Sequence, residues 1–282
     1  IDNLDELPFP DFSDFAWVKY LYKFHIPISF SRGCIWRCAF CDVPAYWKKF
    51  RARSEENIYS EIKCRLNELP VEEFIVSDPS LNANLNMLSK LCDLIIDDGL
   101  QINLNGLAQI RPEMDFEFLK KMRKAGFELL DFGLESGSQR VLDKMGKKYS
   151  VNDAERVIKD TYNADIGIVL SFIIGYPNET EEDFYETLNF IKRIKGYVAN
   201  IGLGHPCDIQ HSYIYSHPDE FNIVILEKTR NPRCPEWETK DGKNILEERH
   251  RRAEIFNDFV RSLGISNRSP AEDREFLTKS LE

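Results

Sequence analysis

Three cysteines, Cys34, Cys38 and Cys41, stand in the run FSRGCIWRCAFCD at spacings of four and three residues. Thiolates gathered on one short loop are soft ligands, suited to an iron–sulfur cluster or to zinc. A four-iron cluster takes four thiolates. Three local cysteines with no obvious fourth would leave one metal corner open to a small molecule, and an open corner signals chemistry rather than a structural staple. On spacing alone two other uses stay open. The thiols could be small buried hydrophobes, or zinc could take three thiolates and a histidine, the nearest being His25 upstream.

At 282 residues and 43% hydrophobic, the chain is long enough for one large core, or for a core with an appendage. The apolar runs LCDLII and IGIVLSFIIGY are too short for a membrane span, so a soluble protein is expected. The opening IDNLDELPFPDF has neither the basic region nor the apolar core of a secretory signal. Seven unevenly spaced cysteines, three of them clustered, suit a reducing cytoplasm better than a disulfide scaffold. The net charge of -10 argues against nucleic acid as the main partner. The local run Lys48, Lys49, Arg51 and Arg53 reads as a solvated connection in preference to a phosphate site. The first residue is Ile rather than Met, which points to upstream residues removed or not shown.

The elements that would hold such a loop show in the middle of the chain. Six β-branched or aromatic runs alternate with helical patterns: His25–Ser31, Glu73–Ser77, Gln101–Asn105, Glu128–Leu134, Gly167–Ile174 and Ala199–Leu203. Ser54 caps a helix whose stripe is Ile58, Ile62, Leu66 and Leu69, with Cys64 beside it. A second helix carries Leu85, Leu88, Leu91, Cys92 and Ile95, which makes Cys92 a core residue, and it stops at Gly99. Asp115 opens the next, and Ser150 with Asp153 and Thr180 with Asp183 form capping-box starts for two more.

Successive βα units with right-handed crossovers predict an α/β fold, a partial (β/α)6 TIM-like barrel, whose functional groups lie at the C-terminal strand ends. Those ends collect the three cysteines, Asp78 and Ser80, Asn105, Glu135 and Ser136, Ser171 and Tyr176, then His205 and Cys207. Residues 1–24 read as an interdomain linker and 25–205 as the barrel. Residues 206–282 read as an α+β appendage with two short strands and a helix bearing Ile255, Phe256, Phe259, Val260 and Leu263.

The cysteine spacing, with Phe40 directly before the third thiol, resembles the cluster loop of the radical S-adenosylmethionine (SAM) enzymes, and the resemblance extends over roughly Ile26 to Leu203. It implies a [4Fe–4S] cluster on Cys34, Cys38 and Cys41, SAM on the vacant iron, reductive cleavage to a 5′-deoxyadenosyl radical, and a reducing partner such as flavodoxin or ferredoxin. FGLESGSQRVLDKMGK resembles the family's fourth-strand segment, which makes Glu135 a SAM contact. SFIIGYPNETEEDF resembles the fifth-strand segment beside the adenine, with Ser171 in place of the usual small or acidic residue and the acidic position moved toward Glu179. SDPSLN stands where many members have a Gly-Gly-Glu stretch for the SAM amino group, so Asp78 or Ser80 would substitute there, or the segment is an Asp-Pro turn. Phe40, Asp78, Ser80, Asn105, Glu135, Ser171 and Tyr176 are thus the expected cofactor-binding residues.

LPFPDFSDF resembles the linker that follows an N-terminal cobalamin domain in cobalamin-dependent members, whose reactions include methyl transfer and ring rearrangement. The expected function is a radical SAM methyltransferase or rearrangement enzyme acting on a small molecule. The open rivals are a cobalamin-independent member that modifies a peptide or nucleotide, and a zinc-stabilised binding module. Peptide-modifying members often carry extra cysteine clusters near the C-terminus, where this chain has only Cys207 and Cys234.

Overall fold

The computed structural model describes residues 1–20, 24–226 and 235–267, so Cys234 and the end of the expected appendage lie outside the described residues. In chain order come β1 (His25–Ile28), β2 (Ser31–Arg32), α1 (Val43–Tyr46), β3 (Arg51–Ala52), α2 (Glu55–Glu68), β4 (Glu73–Val76), α3 (Leu85–Asp97) and β5 (Leu104–Ala108). They are followed by α4 (Phe116–Lys124), β6 (Phe127–Glu135), α5 (Gln139–Met145), α6 (Val151–Asn163), β7 (Gly167–Ile174) and α7 (Glu181–Ile194). The last elements are β8 (Asn200–Ile201), β9 (His205–Pro206), α8 (Tyr213–Ser216), β10 (Ile223–Ile225), β11 (Trp237–Thr239) and α9 (Leu246–Ser262).

The helices begin where their caps dictate. Ser54 accepts from the Asn57 N–H and Asp115 from the Phe118 N–H, and both expected capping boxes form, at Ser150 with Asp153 and at Thr180 with Asp183. Each such cap contributes about 1 kcal/mol.

Six strands pair in parallel in the order β1-β4-β5-β6-β7-β8, with β9 pairing in parallel alongside the last residues of β7, and the sheet curls into a half-barrel. Alternate residues face opposite ways along each strand. Ile26, Ile28, Phe74, Val76, Leu130, Phe132, Ile168, Leu170 and Phe172 are buried in one core with Ile58, Leu88, Leu119, Val157 and Phe184 of the surrounding helices. The intervening residues face the concave side, which is open: Ile75 is 37% exposed and Leu107 47%.

Three expected boundaries shift. The first run ends at Ile28, and Ser31 instead opens a small antiparallel hairpin of β2 with β3 that frames the cysteine loop. The sixth strand is only two residues long. The third strand lies three residues later than expected, at Leu104–Ala108, so Asn105 is its second residue and not its rim-side end. Gly106 looks like a strand breaker, yet a Cβ there would stand 2.8 Å from the Val76 carbonyl oxygen. Glycine lets β5 approach β4.

The proline-rich N-terminal segment packs on the barrel. Leu4 and Phe12 are buried, Asp5 accepts from the Ser54 N–H at 3.0 Å, and a cavity of about 450 Å³ separates the segment from β1. Arg53 is drawn inward to Glu61 and Asn57, which removes it from the expected solvated basic run. At the other end β10 and β11 form a hairpin, and Phe256 and Val260 of α9 enter the main core. Among the described residues no helix is long and apolar enough to cross a membrane.

Candidate cofactor site at the barrel rim

The cysteine loop leaves β2 through Gly33, whose φ of +87° favours glycine, and a Cβ there would meet the Lys49 carbonyl oxygen at 2.8 Å. Backbone bonds brace the loop from two sides. The Ala39 N–H donates to Met145 O at the end of α5, and Ala39 O accepts from the Ile214 N–H of α8, each at 3.1 Å. Between these supports the Cys41 N–H closes a turn on Cys38 O at 3.0 Å.

Cys38 is buried, and Cys34 and Cys41 are half-buried. Burial pushes all three thiols above the usual range, Cys41 to about 11, while the Lys147 ammonium draws Cys34 and Cys38 the other way. Among the described residues no three His, Cys, Asp or Glu side chains converge tightly enough to hold a single metal ion. The corners of a four-iron cluster, each with its own thiolate, call for a wider set of sulfurs. His25 cannot complete a zinc site with these thiols. It lies at the opposite end of β1, with Nδ1 3.0 Å from a Glu73 carboxylate oxygen.

Glu135 ends β6 with φ +69°, rare for a residue with a side chain, at an irregularity in the β6–β7 pairing. Its carboxylate folds back over Gly133, where a Cβ would stand 2.6 Å from Oε1. Glu135 takes no part in capping α5, because the Ser136 hydroxyl accepts the Ser138 N–H at 3.1 Å. Instead Glu135 Oε1 accepts from Lys147 Nζ at 3.1 Å. Lys147 is buried, donates also to Gly133 O at 2.9 Å and Gln109 Oε1 at 3.3 Å, and lies 5.6 Å from the centre of the Phe40 ring. Burial would lower the pKa of that ammonium. The Glu135 carboxylate, with Tyr149 and Cys38, outweighs it, and the net direction is upward.

Cys34, Cys38, Phe40 and Glu135 therefore lie around Lys147. Other expected contacts are committed elsewhere. Asp78 accepts from the Phe30 N–H at 2.9 Å and from the Ser31 hydroxyl, tying the end of β4 to the approach of the cysteine loop. Ser80 donates to Asn82 Oδ1 at 2.9 Å, and both are buried. Tyr176 is 1% exposed, donates to Lys144 O at 2.9 Å and sits in a second apolar cluster with Met145, Ile209 and Trp237, so it offers no surface to a cofactor. Asn105 lies too low on β5. Ser171 faces the concave side and donates to Asp131 Oδ1 at 3.1 Å. Cys207 is buried at the rim, Cys92 is in the core, and Cys64 bonds to Glu68 on α2.

Lys147 and Gln109, which surround the Glu135 carboxylate, were not legible in the sequence. The only local trace of Lys147 is its place after Gly146, the left-handed stop of α5. Gln109 is hidden by the misplaced third strand.

Residues 28–191, more than half of the chain, match the family described as the Radical SAM superfamily. Over 195 residues the chain is 31% identical to the anaerobic magnesium-protoporphyrin IX monomethyl ester cyclase of Cereibacter sphaeroides, covering 66% of this chain and 31% of that protein. It is 27% identical over 210 residues to an uncharacterized methyltransferase of Pyrococcus horikoshii, covering 73% of this chain and 45% of the other. Among solved structures, TsrM, a radical SAM methyltransferase from Kitasatospora setae with cobalamin and a [4Fe–4S] cluster bound, superposes with a TM-score of 0.64 at 16% identity, covering 74% of this chain and 43% of that one. That likeness is one of fold. The chain spans less than half the length of each of these three proteins. The half-barrel and the family match, which runs from the end of β1 through β4, β5, β6 and β7, lead to one assignment: the chain belongs to the radical SAM superfamily, which implies a [4Fe–4S] cluster and S-adenosylmethionine.

Proposed function

We propose that this chain is the radical-generating domain of a cobalamin-dependent enzyme that methylates a small molecule, with Cys34, Cys38 and Cys41 holding the cluster and Glu135 contacting SAM. The observation that carries the reading is the braced three-thiol loop beside the buried Lys147–Glu135 pair. A cluster held by Cys34, Cys38 and Cys41 would supply the electron for cleaving a SAM carbon–sulfur bond, with methionine as the leaving group and the radical on the 5′-deoxyadenosyl carbon. The chain's own residues then have separate tasks. The Ala39 bonds fix the loop, Lys147 places positive charge beside Cys34 and Cys38, and the Glu135 carboxylate keeps one oxygen free of Lys147 to accept hydrogen bonds from SAM. Methyl transfer is supported by the relative from P. horikoshii. Radical ring closure is the second reading, supported by the cyclase at 31% identity.

Anaerobically reconstituted protein should bind about four irons per chain and release 5′-deoxyadenosine from SAM under a low-potential reductant. Replacing Cys34, Cys38 or Cys41 by Ala should abolish both, and Cys64→Ala or Cys92→Ala neither. Stoichiometric zinc without iron after anaerobic purification would overturn the reading.

A further inference from the structure

Asp131 lies midway along β6. The alternation that buries Leu130 and Phe132 among the helices turns Asp131 to the open concave side, and the strand register sets it beside Leu107 of β5 and Val169 of β7. One layer nearer the rim, Glu135 folds over Gly133 on the same wall. The two carboxylates differ in their partners. Glu135 has the Lys147 ammonium at 3.1 Å. Asp131 has the Ser171 hydroxyl at 3.1 Å on Oδ1, and among the described residues no cation pairs with it and no group donates to Oδ2.

Burial raises the Asp131 pKa, the Ser171 bond opposes it, and the nearby Glu135 charge raises it further. Asp131 is half-buried, and an ionised carboxylate in such a partly desolvated place is stabilised by a cation brought beside it. Lys147 fills that role for Glu135, and among the described residues no cation fills it for Asp131. Leu107, its neighbour on β5, is apolar and open, and Ile75 of β4, one same-face position lower and next to Asn105, opens into the same interior.

We propose that Asp131 and Ser171 form the polar end of the substrate site and accept a cationic nitrogen carried on an otherwise apolar body that lies along Ile75 and Leu107. This rests on the radical SAM reading and deepens it by naming a substrate class. The ammonium of SAM is the competing partner. In the proposed assignment it is held at the rim, one layer above, by Glu135.

The test uses three probes with one indole ring and different ends: tryptamine (cationic), tryptophol (neutral) and indole-3-acetate (anionic). Their affinities for reconstituted protein are measured by calorimetry with SAM present, and again for the cluster-free protein. Tryptamine should bind roughly tenfold or more tightly than indole-3-acetate. Asp131→Asn should erase that preference while iron content and SAM affinity stay as in the parent. Ser171→Ala, a gentler change should Asp131→Asn fail to fold, should reduce the preference in part. Equal binding of the three probes, a preference that survives Asp131→Asn, or an Asp131→Asn protein that loses SAM affinity and keeps its tryptamine preference would each overturn the proposal. Failure of the radical SAM reading would show separately, as protein without iron or SAM binding, because the cluster-free probe series reads Asp131 on its own.

Discussion

Asp78 shows how a buried carboxyl can couple the rim to pH. Burial pushes its pKa from the ordinary 3.8 to about 6, against the bonds from Ser31 and the Phe30 N–H. Between those two values the folded state holds a proton that the unfolded state has released. The contribution of Asp78 to stability is therefore full at low pH and falls as pH rises through that window. Asp78→Asn cannot ionise and escapes the fall. Chemical denaturation at pH 4 and pH 7.5 should show the parent losing roughly 1–3 kcal/mol relative to the variant between the two conditions, and an unchanged difference would remove Asp78 from the pH response. Glu135 belongs to the same scale. Removing its side chain would strand the Lys147 ammonium, so Glu135→Gln, which keeps an acceptor for Lys147, is the cleaner change. It should weaken SAM binding about tenfold or more with iron content unaltered, measured by equilibrium dialysis. Parental affinity in the folded variant would refute the Glu135 assignment.

At the scale of elements, α9 determines how firmly the β7 end of the rim is held. Arg249 lies 3.8 Å over the Trp237 ring and donates to Trp237 O at 2.7 Å, while its stem occupies the space that a side chain on Gly175 would need. One turn on, Arg252 reaches Glu179 at 3.2 Å, Glu181 at 3.1 Å and Glu248 at 3.0 Å, and Glu179 also accepts the Gly175 N–H at 3.1 Å. The Arg252 and Glu179 side chains are both almost fully buried. Arg252→Met would leave Glu179 without its counter-charge, at a cost of about 3–5 kcal/mol. The double variant with Glu179→Gln should recover part of that loss. A denaturant midpoint unmoved by Arg252→Met would mean that apolar packing of α9, through Phe256 against Phe172 at 5.2 Å, carries the attachment alone.

For the whole molecule, the decisive property is that the barrel is half closed. Its concave wall keeps Ile75 and Leu107 open, so the chemistry implied by the family needs something further to exclude water from that wall. A substrate or a further domain would do so. The cobalamin-dependent reading proposed above, motivated by the LPFPDFSDF segment, predicts that the protein carrying these residues binds a corrinoid. Anaerobic expression with cobalamin, followed by absorption spectroscopy and mass spectrometry of the bound corrinoid, should detect it. Its absence would favour a cobalamin-independent reaction.

The sequence by itself determined what is local. The caps at Ser54, Asp115, Ser150 and Thr180 and the order of βα units depend on neighbours a few residues away, and they stand as expected. Other features depended on groups distant in the chain. Tyr176 is taken into a cluster completed by Ile209 and Trp237, Asp78 is consumed by Phe30 and Ser31 at the entry to β2, and Asn105 drops from the rim because the register with β4 and β6 sets where β5 runs. Only the tertiary structure decided which carboxylates receive a cation. Lys147 lies 12 residues beyond Glu135 and comes back to it because α5 ends at Gly146 and turns the chain inward, while no described lysine or arginine is brought to Asp131.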